Sequence, residues 1–211
     1  MLHESLLGLS AEGKPRHATV LLEEVERAAA AAGGWGEVEL IAVGLGPGSF
    51  TGTRIGIATA RGLAASTGLP VAGVCTLDAI GRGLREGDGE GADCLAVLDA
   101  RRGEVFAALY SAARGERLWE PLVASPADLA ERVAELPQPP RAAGSGALRF
   151  RQELARHGVE IPEDADSLHR VAARHICALA AAEEAGPLAP IYLRPPDAVR
   201  WRERDTFQTA E

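Results

Sequence analysis

The sequence predicts an α/β protein built from two α/β halves, and two patterns carry that expectation. In the first half, apolar runs at Val38–Leu45 and Leu69–Val74 alternate with segments of helical period, a βαβαβα rhythm. The second half opens on three strand-like runs joined by short turns, Cys94–Asp99, Val105–Ser111 and Leu118–Val123, which make a meander. The polar, glycine-rich stretch REGDGEGAD at 85–93 separates the two. The boundaries expected are therefore a first lobe at 1–84, a second at 92–198 and a tail at 199–211.

Taken in order, HESLLGL at 3–9 reads as a short strand. Thr19–Ala32 is a helix: Leu21, Leu22, Val25, Ala28 and Ala29 recur at helical spacing, and Gly33-Gly34 stops it. Val38–Leu45 has the continuous apolar character of a buried strand. A second helix runs from about Gly52 to Thr67, and a third starts near Thr76 and runs toward Gly83. After the meander, Ser125 caps a helix beginning at Pro126 and reaching Leu136. Gly144-Ser145-Gly146 opens a helix to about His157, and a long helix is expected over Ser167–Ala185. PLAPIYLRPPDA at the end reads as an extended strand closed by prolines.

Composition narrows the function. The 211 residues, 46% apolar and 25% charged, suffice for a sizeable core. The net charge is −8, and only Arg194, Arg200, Arg202 and Arg204 in the tail are locally basic, which argues against strong direct nucleic-acid binding. Cys75, Cys94 and Cys177 form no CxxC pair and read as small buried hydrophobes. No apolar run is long enough to span a bilayer, and the N-terminus lacks a basic-then-apolar signal pattern, so a cytoplasmic protein is expected.

VGLGPGSFTGTRIGIATARGLA at 43–64 is the most distinctive stretch. It lacks the lysine of a Walker A loop and the third glycine of a dinucleotide fingerprint. Physical chemistry leaves a tight strand-to-helix turn. Gly46 and Gly48 permit positive φ or close approach, Pro47 stiffens the turn, and Ser49 or Thr51 caps the helix beside a weak anion site. From Ile55 to Ala65 only Thr59 and Arg61 are polar. Such a helix lies on its own sheet by one face and needs cover on the other, from the preceding helix, a second lobe or a partner. His169 and His175 are six apart, the wrong spacing for one helical face, and no HExxH or GxSxG frame exists. Asp99 beside Arg101 and Glu104 reads as a charged β-turn before it reads as a catalytic acid.

GLGPGSFTGTRIGIATARGLA, DARRGEVFAALY at 99–110, PIYLRPPDA at 190–198 and RHATVLLEEVE at 16–26 together resemble the TsaB (YeaZ) family. The resemblance implies an actin-like, Hsp70-like ATPase (ASKHA) fold of two α/β lobes. It implies no catalytic or metal-binding residues in this chain, but an accessory subunit that pairs with TsaD and, with TsaE, supports threonylcarbamoyl transfer to the adenosine beside the anticodon of ANN-decoding tRNAs. Its helices would meet TsaD through Leu21, Val25, Ile57, Ala60, Arg61 and Ala64. The loop Gly46, Pro47, Gly48, Ser49, Phe50, Thr51, Gly52 and Arg54 would be anion-tolerant or close to nucleotide. No intrinsic cofactor is implied; ATP or ADP would sit at the junction with the partner, tRNA would be met only through the complex, and a homodimer in the absence of TsaD is left open by the sequence. The competing classes are a free-standing actin-like ATPase or peptidase and a self-associating protein. The family pattern also places two strands before LHESLLGL, so the expectation is that the true start lies upstream of Met1 by roughly 15 to 25 residues.

Overall fold

The computed structural model describes residues 3–5, 17–87, 91–182 and 188–194. The first helix, α1 (His17–Ala31), ends at Gly33 and Gly34, whose φ values of 102° and 107° suit glycine, and the Gly34 N–H donates back to the Ala29 carbonyl at 2.9 Å. A single 3-10 turn, Trp35–Glu37, leads to β1 (Ile41–Gly44), shorter than the apolar run suggests. Helix α2 (Phe50–Thr67) follows, closed by Gly68 at φ 75°. Then come β2 (Val71–Val74), parallel to β1 in the register Ile41↔Val71 to Gly44↔Val74, and α3 (Thr76–Glu86).

The second sheet contains β3 (Cys94–Arg101), β4 (Glu104–Tyr110), β5 (Arg117–Ala124) and β6 (Arg141–Ala143), in the order β5-β4-β3-β6. The first three form the expected antiparallel meander; β6 adds parallel to β3. The β3–β4 turn puts Arg102 and Gly103 at φ 56° and 80°, the paired positive φ of a type I′ turn. Arg101 (φ 64°) stands at a break in register beside it.

Strands β3 and β4 are buried on both faces, which is why they read as unbroken apolar runs. Ala96, Ala108 and Tyr110 face α3, where they meet Leu77, Ile80 and Leu84. Leu95, Val97, Ala107 and Leu109 face the other way, onto Leu129 and Val133 of α4 (Pro126–Ala134) and onto Ala147 and Leu154. Those last two belong to α5 (Ser145–Arg149) and α6 (Arg151–Ala155), which replace the single helix expected up to His157. The break falls at Phe150, whose φ of −111° leaves the helical region.

The expected long helix at 167–185 is also divided. A 3-10 turn at Ser167–His169 is capped by Asp166, and Arg170 and Ala172 are extended before α7 (Ala173–Ala180). The cause is His169: its Nδ1 accepts from the Gly144 N–H at 3.2 Å, its Nε2 lies 3.2 Å from the Pro162 carbonyl, and a continuous helix would draw the ring out of that bridge. Helix α7 then returns to the first sheet, where Ile176 and Ala180 pack on Ala72 and Val74 of β2 and on Ala79 of α3. Residues 188–194 also come back, but to a single ladder bond, Ile191 N–H to Leu45 C=O at 2.8 Å, and not to a strand. Most of HESLLGL and the closing prolines lie outside the described residues.

His175 lies buried on α7, with Nδ1 3.2 Å from a Glu86 oxygen. Burial, then the charges of Arg174 and Arg82, push its pKa below the usual 6.5, against the smaller pull of Glu86 and Glu4. Folding therefore favours the neutral ring. That stability is present above pH 6.5 and is lost as pH falls through the depressed folded value, because the unfolded chain binds the proton more readily. The melting temperature should fall on acidification below pH 6.5, with a shallower slope in His175→Gln; an unchanged slope contradicts this.

Candidate functional site

The glycine loop is held by the protein's own backbone. Leu45 donates its N–H to Val74 C=O at 2.8 Å, and Thr76, at the start of α3, donates to Gly46 C=O at 2.7 Å. The Gly46–Pro47 peptide is cis, and Pro47 is fully buried. Gly46 needs to be glycine: its φ is 92°, and a Cβ there would lie 3.4 Å from the Ile191 carbonyl. Gly48 does not. It has no positive φ, and an added Cβ would meet only Thr53 Oγ1 at 4.0 Å, so the freedom that the sequence allows at both glycines is used only at Gly46.

Ser49 is the N-cap of α2. Its hydroxyl accepts from the Gly52 N–H at 3.3 Å and its carbonyl from Thr53 at 2.9 Å. Thr51 lies exposed in the first turn. Arg54 is engaged with aromatic groups: its guanidinium stacks 3.7 Å over the Phe50 ring, and its Nε donates to the Tyr192 hydroxyl at 2.8 Å. Arg61, two turns on, donates to the Leu188 carbonyl at 2.7 Å. Both arginines thus fasten residues 188–194 along α2, a role that helical spacing alone did not reveal. Phe50 and Tyr192, 49% and 45% exposed with rings 5.8 Å apart, form an open aromatic pair at the end of this face.

Side-chain directions on α2 correct the expected contact set. Ile57 and Ala60 point inward and pack with Val43 and Leu188 in the chain's own core. The outward face carries Thr51, Arg54, Ala58, Arg61, Gly62 and Ala65, at helical spacing, with open space where a Gly62 Cβ would stand. Ala64 is half-buried. On α1, Leu21 and Val25 are half-buried and line an apolar groove of about 370 Å³ against Gly56, Thr59 and Leu63 of α2 and Leu40–Val43. Leu22, which its spacing put with the covered residues, is 59% exposed.

Titratable groups elsewhere are committed to structure. Asp99 accepts from the Arg101 N–H and from Arg149, and its own N–H donates to Ser145 Oγ, so it orders the β3–β4 turn. Cys75 and Cys94 are buried, and burial pushes each thiol up to about 11. Cys177, expected to be buried, is exposed beside the groove. No group of three metal-ligating side chains occurs among the described residues, and none of their helices is long and apolar enough to cross a membrane.

Ile57→Glu places a carboxylate in the core and should cost about 3 kcal/mol or more of stability, whereas Ala58→Glu on the exposed face should cost within about 0.5 kcal/mol. Urea unfolding of the two variants distinguishes them; equal losses contradict this orientation of α2. Ser49→Ala should lose about 1 kcal/mol through the cap.

The family model described as "TsaD: tRNA N6-adenosine threonylcarbamoyltransferase" matches residues 11–184. The Mycobacterium tuberculosis protein Rv3421c is 38% identical over 162 residues, 77% of this chain and 67% of its own length. The Escherichia coli tRNA threonylcarbamoyladenosine biosynthesis protein TsaB is 47% identical over 74 residues, 35% of this chain and 32% of its own length. The chain spans between 24% and 67% of the length of these curated relatives and that of Mycobacterium leprae ML0378. A solved Pseudomonas aeruginosa protein, described as similar to the peptidase YEAZ, superposes with a TM-score of 0.68 at 30% identity, covering 86% of this chain and 87% of its own. With one parallel and one mixed sheet, the described helix order and these relatives, the chain has the actin-like fold and belongs to the TsaB (YeaZ) family within the wider TsaD group.

Proposed function

We propose that this protein is an accessory scaffold in tRNA threonylcarbamoyladenosine synthesis, and that it acts by presenting the outer face of α2 and the adjoining part of α1 to TsaD. The relatives in Escherichia coli, Bacillus subtilis and Haemophilus influenzae, each named a tRNA threonylcarbamoyladenosine biosynthesis protein, support the pathway. The observation that carries the scaffold role is the exposed row Ala58, Gly62 and Ala65, flanked by Arg54 and Arg61 and accompanied by Leu22 on α1. Small side chains let a second helix approach closely, and arginines and an aromatic pair at the edge are typical of protein interfaces. On this reading the two lobes divide near 84–92, TsaE joins through the complex, ATP or ADP binds at the junction with TsaD, tRNA is met only in the assembly, and the site of action is the cytoplasm.

A peptidase reading gains no support from the geometry. Ser49 is engaged as a helix cap, while His3, His169 and His175 are bonded to Glu24, to Gly144 and Pro162, and to Glu86.

Co-purification with the TsaD of the same organism tests the proposal. The wild-type chain should form a stable complex, and Ala58→Glu, which keeps the fold, should weaken it by about tenfold or more, because an unpaired carboxylate would be buried only on association. Failure of the wild-type chain to bind, or undiminished binding by the variant, contradicts the reading. A complex of two copies that persists in the presence of TsaD favours self-association through the same face. Alone, the chain should show no steady turnover of ATP.

A further inference from the structure

Four arginines line one cavity of about 460 Å³ that shares no residue with the face of α2. Arg82 and Arg85 come from α3, where Asp78, Gly81, Arg82 and Arg85 follow at the spacing of one helical face. Arg114 comes from the turn between β4 and β5, and Arg117 opens β5. That turn is fixed by its own backbone: Gly115 N–H donates to Ser111 C=O at 2.8 Å, and Ser111 N–H to Glu116 C=O at 2.9 Å. Arg85 lies against it, so that a Cβ added at Gly115 would stand 2.9 Å from Arg85 Nε.

The charges do not balance inside the cavity. Among the described residues that line it, the only carboxylate is Asp78, which already accepts from the Tyr110 hydroxyl at 2.7 Å and from Arg117 Nε at 2.8 Å. Three guanidinium groups remain. Arg82 meets Glu86 at 2.7 Å and Arg114 meets Glu116 at 2.6 Å, both exposed acids outside the lining, and exposed pairs of this kind are weak. Arg85 makes no hydrogen bond or ion pair among the described residues, and Arg82 Nε is buried without an acceptor. In a chain of net charge −8 this is a local concentration of positive charge.

We infer that this cavity binds a compact phosphate chain, a di- or triphosphate, through Arg82, Arg85 and Arg114. Guanidinium forks take phosphate oxygens two at a time. A single phosphate has too few oxygens to meet three such forks at once, whereas a di- or triphosphate has enough. Nucleic acid is a poor occupant, because Glu86, Glu116 and Glu120 stand beside these arginines and an extended polyanion would have to cross them. No base is recognised here: Tyr110, the aromatic side chain in the lining, is 3% exposed and offers no face for stacking. The readout uses neither tRNA nor TsaD, so the site stands or falls apart from the threonylcarbamoylation reading.

The test is calorimetric titration of the full chain with pyrophosphate, in about 150 mM KCl and without divalent metal. Pyrophosphate should bind, and inorganic phosphate should bind about tenfold more weakly or less. Arg85→Gln and Arg114→Gln alter exposed side chains and should each weaken pyrophosphate about tenfold, with the melting temperature of the free chain unchanged. Arg85→Lys keeps the charge without the fork and should lose most of the same affinity. Glu116→Gln frees Arg114 and should tighten binding about threefold. ATP separates the sources of the phosphate chain. Binding equal to that of inorganic triphosphate, with the same loss in Arg85→Gln, means that a nucleotide can supply it; no binding of ATP means that the inorganic anion alone enters, and both results support the site. Four results overturn it. The first is no binding at millimolar pyrophosphate. The second is undiminished binding by the Arg85→Gln, Arg114→Gln double variant, which would place the anion elsewhere. The third is tighter binding of a short single-stranded RNA than of pyrophosphate. The fourth is binding that appears only when Asp88, Glu90, Glu183 and Glu184 are neutralised, which would mean that the chain's own carboxylates take the site.

Discussion

Burial of α3 on two sides is the constraint on which the rest of the structure depends. Leu77, Ile80 and Leu84 pack into the four-stranded sheet, while Ala79 packs with Ala72 and Val74 of the small one. Contact at this closeness requires the absence of a side chain at Gly81, where an added Cβ would lie 2.5 Å from the Tyr110 ring. The polar end of the same contact is tightly paired. Tyr110 donates its hydroxyl to Asp78 at 2.7 Å, and Arg117 Nε donates to the same oxygen at 2.8 Å. Burial, then the Asp78 charge, push the Tyr110 phenol well above its ordinary range, and the hydrogen bond to Asp78 raises Arg117. Removing one member of such a group leaves the others desolvated and unpaired, so α3, β4 and β5 are fixed as one block.

From α3 outward, the candidate site follows. Its first residue, Thr76, bonds the Gly46 carbonyl and so sets the loop from which α2 departs. Its last turns hold α7, through the close approach of Gly83 to His175 and the contact of His175 with Glu86. With both ends anchored, α2 lies with Ile57 and Ala60 inward and the small row Ala58, Gly62 and Ala65 outward. Arg54 and Arg61 complete that face by tying down residues 188–194, which bring Tyr192 beside Phe50. The exposed face of α2 is thus assembled from segments more than a hundred residues apart, joined by these hydrogen bonds.

What local chemistry determines was legible in the sequence. The caps at Ser49 and Ser125 rest on side-chain-to-backbone bonds, the stop at Gly33-Gly34 on positive φ and the meander on short turns between strands, and all three act within a few residues. Two-sided burial of β3 and β4 was visible as unbroken apolar runs. The rest depends on distant neighbours. The division of 167–185 follows from His169 reaching Gly144 and Pro162. The orientation of α2 was hidden because nearly every position in it is small or apolar, so periodicity could not rank Ile57 against Ala58. Leu22 carried the same apolar signal as Leu21, and only the site of α1 on the groove separates them. The aromatic clasp on Arg54 joins residues 138 positions apart, a pairing that no local pattern announces.

If α3 makes the two sheets one cooperative unit, a single methyl group on it should loosen both. Native-state hydrogen exchange on Gly81→Ala measures this directly. The account predicts that the protected amides of β1, at Ile41, Val43 and Leu45, and those of the β3–β4 ladder lose protection by the same factor. Loss confined to β3–β4, with the β1–β2 pair unchanged, would show that the small sheet stands without α3 and would contradict the account.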